Sequence, residues 1–389
     1  MSDVLYYRFR PAGEMSIKEL LYDELFFVST AECNDPFDGV AFLSFGPELE
    51  KWTRLVSHAW RDLDFPAKAE LQSQTAKQLA GLSPLPISKA RALDFGSVVQ
   101  RGTPKVNSQA ASALGAFIAR SIELYEPRRP YFVSFSRGCD NALMWSHYSS
   151  KHEGHCLVFK AIDGQLSQCS RRRRTRVHRT TNSGIAPNMQ SSVPATFRFE
   201  CIKYEDDTAP GDAFASFPAA VSRQTRTEEE RLAWHQDQRD RVLTKHTCWK
   251  YEQESRLILY PPMGALFGEP VALSKEERLL HFRPTQLVGL VLGARMPEGQ
   301  KERLTEIVRE RAERMAAELG NSDPYLEFVL FEAALRHERR NVDINPRRIL
   351  SLTRELDSED AAFASRFKDW QDGKGLFYEG AKVSRRQFL

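Results

Sequence analysis

Tyr131-Phe132-Val133-Ser134-Phe135-Ser136, then Asn141 to Ser149, then Gly154 and His155-Cys156-Leu157-Val158-Phe159, is the stretch on which the reading of the fold turns. The first run alternates apolar and polar residues as a half-buried strand does. The second predicts a helix capped by Asp140, Gly154 ends it, and the last apolar run predicts another strand. On the N-terminal side, Val4 to Arg10 reads as an aromatic strand closed by Pro11-Ala12-Gly13. Ser16 to Glu19 reads as a capping box for a short helix, and Leu25 to Ser29 as a buried strand. Residues 46–80 read as helical, with Leu49, Trp52, Leu55, Val56 and Trp60 on one face; residues 80–104 read as loop, and Ser108 to Tyr125 as a second helix. On the C-terminal side come a strand-like Thr196 to Tyr204, a charged helix Val221 to Leu243, and strands at Arg256 to Tyr260, Leu287 to Gly293 and Tyr325 to Phe331. A helix with Leu304, Ile307, Val308, Ala312, Met315 and Leu319 on one stripe stops at Gly320 before the last strand. Short strands mixed with helices, without a regular βαβ rhythm, predict an α+β fold: a mixed, mostly antiparallel sheet with peripheral helices.

One domain is expected over residues 1–343, carrying a helical insertion at about 46–126. Residues 344–389 are polar, show no clear period, and read as a loosely attached tail. The net charge of +3 conceals a patch: Gly164 to Phe199 contains no acid, but holds Arg171, Arg172, Arg173, Arg174, Arg176, Arg179 and Arg198. Like charges repel and resist burial, so residues 164–195 are expected to form a mobile basic loop. No apolar run is long enough to cross a bilayer, so no membrane partner is expected. The start Met1-Ser2-Asp3-Val4-Leu5-Tyr6 lacks the features of a secretory signal. The six cysteines form no C-x-x-C pair, which fits reduced thiols in a cytoplasm.

The sequence has no phosphate loop, no G-x-G-x-x-G after a strand, no G-x-S-x-G and no H-E-x-x-H. Four polar clusters remain. Arg8 and Arg10 alternate with aromatics, so a strand would present both cations on one face to a phosphate or carboxylate, or to solvent on an edge. Asn34-Asp35-Pro36-Phe37-Asp38-Gly39 has the composition of a tight turn, with Asn34, Asp35 and Phe37 shaping a pocket and Phe37 as its anchor. Ser134 and Ser136 precede Trp145, His147 and Tyr148. The spacing of His147, His152, His155 and Cys156 matches no standard zinc site, and no metal is expected. Finally, Tyr251-Glu252-Gln253-Glu254-Ser255-Arg256 places two carboxylates about 7 Å apart on one face of an extended chain. Such a pair can divide labour between binding a hydroxyl and acting as a base, or Glu254 can simply pair with Arg256.

Together these clusters resemble an uncharacterised bacterial family, domain-of-unknown-function family 2971. The resemblance lies in Tyr7-Arg8, Asn34 to Asp38, Phe135-Ser136, Met144 to Tyr148, Gly154 and Tyr251 to Arg256, and spans roughly residues 5–335. The order of arginine strand, serine strand and E-x-E strand is also similar to the R-S-E type of ADP-ribosyltransferase. That resemblance implies NAD as substrate, bound by Arg8 or Arg10 with Ser134 or Ser136 at the nicotinamide site. It makes Glu254 catalytic and gives Glu252 the acceptor; Trp145, His147 and Tyr148 would line the NAD site, with Trp145 or Tyr148 stacking on it. Tyr251 and Arg256 would shape the pocket. The implied activity is transfer of ADP-ribose to a macromolecular acceptor by a toxin-like effector of phage defence or stress.

Two alternatives belong to other classes. Arg171, Arg172, Arg173, Arg174, Arg176 and Arg179 can serve as a phosphate-binding arm of an effector that binds or cleaves nucleic acid. The same polar clusters can also line the pocket of a non-catalytic ligand-sensing or interaction module.

Overall fold

Nine strands follow one another through the main sheet of the computed structural model, which describes residues 4–60, 69–102, 107–179, 189–222, 226–261, 272–319, 327–350 and 355–372. In chain order the elements used below are β1 (Leu5–Arg10), α1 (Glu14–Tyr22), α2 (Leu49–Trp60), α3 (Ala69–Ala80), α4 (Phe95–Gly102), α5 (Ser108–Tyr125), β2 (Tyr131–Ser136), α6 (Ala142–Tyr148) and β3 (His155–Lys160). They continue with β4 (Glu200–Cys201), α7 (Glu228–Val242), β5 (Glu254–Leu259), β6 (Leu287–Leu292), α8 (Glu298–Leu319), β7 (Phe328–Arg336), β8 (Asn341–Leu350), β9 (Glu355–Asp357) and α9 (Phe363–Gln371). The sheet order is β4-β5-β2-β1-β3-β6-β7-β8-β9. Neighbours run antiparallel except β6 and β7, which are parallel and joined through α8. The fold is therefore α+β with a mostly antiparallel sheet.

β3 sits near the centre and is buried along its whole length, which its apolar run requires because both faces of the sheet are covered. Leu157 and Phe159 pack with Leu20 of α1 and Leu304 and Val308 of α8. Cys156 and Val158 point the other way, into a cluster with Trp145 of α6 and Phe363 and Trp370 of α9. A third cluster joins α2 to α5 with Phe45, Phe214 and Phe217, so these helices share a core with residues that precede and follow them in the chain. Trp52, Leu55 and Val56 are buried there as their spacing predicts, whereas Leu49 is exposed.

Gly154 is required where the chain enters β3. A Cβ at that position would lie 2.2 Å from the Arg10 carbonyl oxygen and 2.8 Å from the Ser149 Oγ. This close approach locks the end of α6 against the end of β1.

Several expectations are corrected. Asn141, not Asp140, caps α6; its side chain accepts from the Leu143 amide. The span 80–104 contains a two-residue strand at Leu85–Pro86, a short helix at Ile87–Arg91 and α4, where Phe95, Val98 and Val99 are buried at helical spacing. Part of the stretch read as a basic loop is paired backbone: Gln165–Ser167 with Thr196–Arg198, and Arg176–Arg179 with Met189–Ser192. Ladder bonds use main-chain groups, so a run of charged side chains does not prevent them; residues 180–188 lie outside the described residues. The segment read as a tail supplies β8, β9 and α9. Its period was hidden because the β7–β8 register shifts at Phe331 and Pro346, moving Val342 and Ile349 out of phase with one another. No helix among the described residues is long and apolar enough to cross a membrane.

Candidate functional site

The sheet opens between β1 and β2. Their ladder consists of the single partner pair Tyr7 and Ser136, and the other end of β2 is taken by Val28–Ser29. A cleft of about 460 Å³ lies at this opening, bordered by β1, β2, the turn at Asn34–Asp38, α6, Lys245 and the Glu252–Glu254 segment. That volume suits a small-molecule site.

Arg8 and Arg10 share one strand face, as the sequence predicts, and that face is opposite to Ser134 and Ser136. Both arginines meet Glu19 of α1, a buried acid that does not close a capping box as expected, because the helix begins at Glu14 with Gly13 as its N-cap and Ser16 and Glu19 lie inside it. Arg8 lies 2.9 Å from Glu19 and Arg10 lies 3.3 Å from it. Arg8 also donates to the Ser134 carbonyl at 3.0 Å, satisfying an oxygen at the opening of the ladder. Arg10 is the more accessible of the two.

The E-x-E pair is not on one extended chain. Glu252 ends a 3-10 turn, Gln253 has φ 45°, and Glu254 begins β5. The left-handed Gln253 turns the two carboxylates toward one cation, Lys245, rather than leaving them spaced along a strand. Lys245 Nζ lies 2.6 Å from Glu252, 3.2 Å from Glu254 and 3.4 Å from Asp38. Its side chain is only 4% exposed and lies over the Trp249 ring at 4.9 Å. Arg256 completes the cluster, with Nε 2.6 Å from Glu254, Nη2 2.7 Å from Asp38 and the guanidinium 4.0 Å from the centre of the Phe132 ring. Three carboxylates thus face two cations in a nearly dry site.

The two glutamates differ electrostatically. Burial pushes both carboxyls up. For Glu254 this is outweighed by the charge and hydrogen bonds of Arg256, with further help from Lys245 and the Ser134 side chain, so it is held well below the usual carboxylate range. For Glu252 burial and the nearby Glu254 charge prevail, and its carboxyl is raised despite Lys245 and a bond from the Tyr148 hydroxyl. Glu254 is therefore ionised at neutral pH, while Glu252 is the better proton acceptor. Lys245 in turn is held above its usual value, because the three surrounding carboxylates outweigh its burial. The Cys33 thiol, also at the cleft, is pushed up to about 11 by burial and the Asp38 charge, and is not an activated nucleophile.

The motif residues interlock. Ser136 Oγ donates to the Glu252 carbonyl at 2.7 Å, and Asn141 Nδ2 donates to the Tyr251 carbonyl at 3.1 Å while its oxygen caps α6. Asn34 donates to the Tyr148 hydroxyl at 3.4 Å, and His147 stands at the cleft beside Tyr251, ring centroids 5.9 Å apart. Three expectations fail. Trp145 is fully buried, donates its indole N–H to the Cys139 carbonyl and packs edge-on to Phe9, so no ligand can stack on it. Phe37 is 83% exposed and anchors nothing; Asp35, buried beneath it, holds the turn by accepting from the Phe37 amide at 3.0 Å. Arg256 does not line the open cleft but lies behind it.

Lys245 and Asp38 are the functional candidates missed by the sequence reading. Asp38 belongs to the Asn34–Gly39 turn motif, whose local pattern assigns it no role. The only hint of Lys245 was chemical, since two carboxylates at an apolar strand require a counter-charge. Arg171, Arg172 and Arg173 are exposed and do not line the cleft; Arg172 is tied to Asp23 at 3.3 Å and to the Tyr22 carbonyl. Arg174 is partly buried, and the side chains of Arg176 and Arg179 lie outside the described residues. Among the described residues, no three or more His, Cys, Asp or Glu side chains are placed to hold a metal ion.

Residues 144–257 match a family described as "Protein of unknown function (DUF2971)". The matched span runs from α6 through most of β5 and includes Tyr148, Lys245, Glu252 and Glu254. No curated protein and no solved structure matches the chain.

Proposed function

We propose that the cleft binds NAD, cleaves its nicotinamide glycosidic bond and transfers ADP-ribose to a macromolecular acceptor. The observation carrying this reading is the opening of the sheet between β1 and β2, where the arginine, serine and E-x-E strands border one cleft. Arg10 contacts the diphosphate, since Arg8 is committed to Glu19 and the Ser134 carbonyl. Tyr148 supplies an aromatic surface at the nicotinamide end. As the C1′–N bond breaks, nicotinamide leaves with the bonding pair and the ribose gains positive charge. Glu254, ionised and rigidly held by Arg256 and Ser134, stabilises that charge without reorganising. The acceptor's nucleophile then forms the new bond to C1′ and gives its proton to Glu252, whose raised carboxyl suits a base.

The test is consumption of NAD, or transfer of label from NAD to a cell extract, by the purified full chain. Glu254→Gln is expected to lower the rate by a hundredfold or more, and Ser134→Ala by about tenfold, in proteins whose melting curves show them folded. Intact NAD with every extract, or full activity in folded Glu254→Gln protein, would sink the reading.

A second reading, binding of nucleic acid through the arginine stretch, draws support from the exposure of Arg171, Arg172 and Arg173. Replacing Arg171 to Arg174 with Ser should weaken binding to a duplex and flatten its salt dependence; unchanged salt dependence would remove that reading.

A further inference from the structure

A second cavity, about 430 Å³, lies between the inserted helices, α7 and the residue that follows β5. It backs onto the cleft through the Asp38–Gly39 turn: Asp38 faces the cleft and Gly39 borders the cavity. Its mixed lining includes the aromatic rings of Tyr125, Trp234 and Tyr260.

The charges around it do not balance. Glu126 is engaged by Arg91 and by Arg129, the latter at 3.7 Å, and Arg239 is engaged by Glu200. Arg128 pairs with no carboxylate among the described residues. Its guanidinium is held by the Pro261 carbonyl at 2.8 Å and by the Tyr260 ring at 5.3 Å. Burial draws its pKa below the usual arginine value, as expected for a cation partly stripped of water and given no counter-ion. His235, also on the wall, is held down by burial and then by the charges of Arg128, Arg231 and Arg226, which indicates a positive local field.

A guanidinium with no carboxylate partner among the described residues, beside the rings of Trp234 and Tyr260, suits a ligand that joins a phosphate to a planar ring. We propose that this cavity is a nucleotide site, with the phosphate on Arg128 and the base against the walls formed by Trp234 and Tyr260. The site is independent of the proposed transferase chemistry; the shared chemistry is that of a nucleotide phosphate, whether free in solution or at the phosphorylated end of a nucleic acid.

The experiment is calorimetric titration of the full chain with the four ribonucleoside 5′-monophosphates, the matching nucleosides, inorganic phosphate and a 5′-phosphorylated oligonucleotide. At least one monophosphate should bind tenfold or more tightly than both its nucleoside and phosphate. Arg128→Gln should remove that advantage and Trp234→Leu should weaken binding at least fivefold, both with unchanged melting temperature. Glu254→Gln, in the other cleft, should bind as the parent does. Tighter binding of the oligonucleotide would assign the site to nucleic-acid ends, and tighter binding of the mononucleotide to the free ligand. The proposal is overturned by absence of monophosphate binding at about 1 mM, by inorganic phosphate binding equally well, by an unaffected Arg128→Gln, or by loss of binding in Glu254→Gln.

Discussion

Replacing Lys245 with Met keeps most of the stem volume and removes the charge that lies 2.6, 3.2 and 3.4 Å from Glu252, Glu254 and Asp38. Three buried carboxylates would then face Arg256 alone. Removing one partner of a buried ion pair costs about 3–5 kcal/mol, chiefly because the charges left behind have neither water nor counter-ion. For 389 residues unfolding as one unit, the average unfolding entropy per residue converts this to a melting midpoint roughly 4–6 °C lower. The loss should depend on pH with a definite sign. The Glu252 carboxyl is already raised in the folded protein, so folded Glu252 holds its proton more tightly than the unfolded chain does. Its contribution favours folding below the unfolded pKa and is lost as pH rises through the folded one. Without Lys245 that rise becomes larger. Differential scanning calorimetry should therefore find the variant's deficit smaller at pH 5 than at pH 8. Adding Glu252→Gln to Lys245→Met should recover at least half of the deficit at pH 8. A loss below about 1 kcal/mol, or one equal at both pH values and unrelieved by the second change, would refute the view that Lys245 is the counter-charge of this site.

The other predictions concern separate parts of the fold. The Glu254 carboxyl is lowered in the folded state, so its contribution is complete above the unfolded value near 4.3 and is lost as pH falls toward its folded value of about 2; acid unfolding of Glu254→Gln should begin from lower stability but show a shallower slope between those limits. Gly154→Ala drives a methyl to 2.2 Å from the Arg10 carbonyl and should cost about 2 kcal/mol or more, read as a lower denaturant midpoint with the slope unchanged. Trp370→Ala, in the segment whose sequence resembled a tail, should cost about 3–5 kcal/mol because the side chain is 5% exposed and packed on Phe331; a cost under 1 kcal/mol would mean that α9 is not part of the core.

The legible parts of the fold were those written in local periodicity. β2, β3, α5 and the part of the α8 stripe at Leu304, Ile307 and Val308 follow from spacing alone, and so does the placement of Arg8 and Arg10 on one face; the side chains of Met315 and Leu319 lie outside the described residues. The site was legible only as far as its residues cluster in sequence. Glu252 and Glu254 stood out, but their geometry depends on the positive φ of Gln253, which a residue other than Gly or Asn does not announce. Asp38 meets Arg256 across 218 positions, and Glu19 meets Arg8 by way of a helix packed back on its own strand. Counter-ions of this kind are chosen by tertiary packing, and no local pattern marks them. Trp145 illustrates the opposite error: an aromatic beside polar neighbours suggests a stacking surface, yet its helix turns it into the core.

The position of β1 in the sheet has a consequence for how the protein is made. This strand emerges first but lies between β2 and β3, and the residues joined across the opening, Arg8 and Ser134, are 126 positions apart. At about 5–20 residues per second, roughly 6–25 s of translation separate the two. For that interval the nascent chain holds an aromatic segment with both edges unpaired, exposed to chaperones and to neighbouring chains on the same messenger. Helices α2 to α5 are synthesised in the meantime, but their core also takes in Phe214 and Phe217, so it is completed only after β2 and β3 have been made.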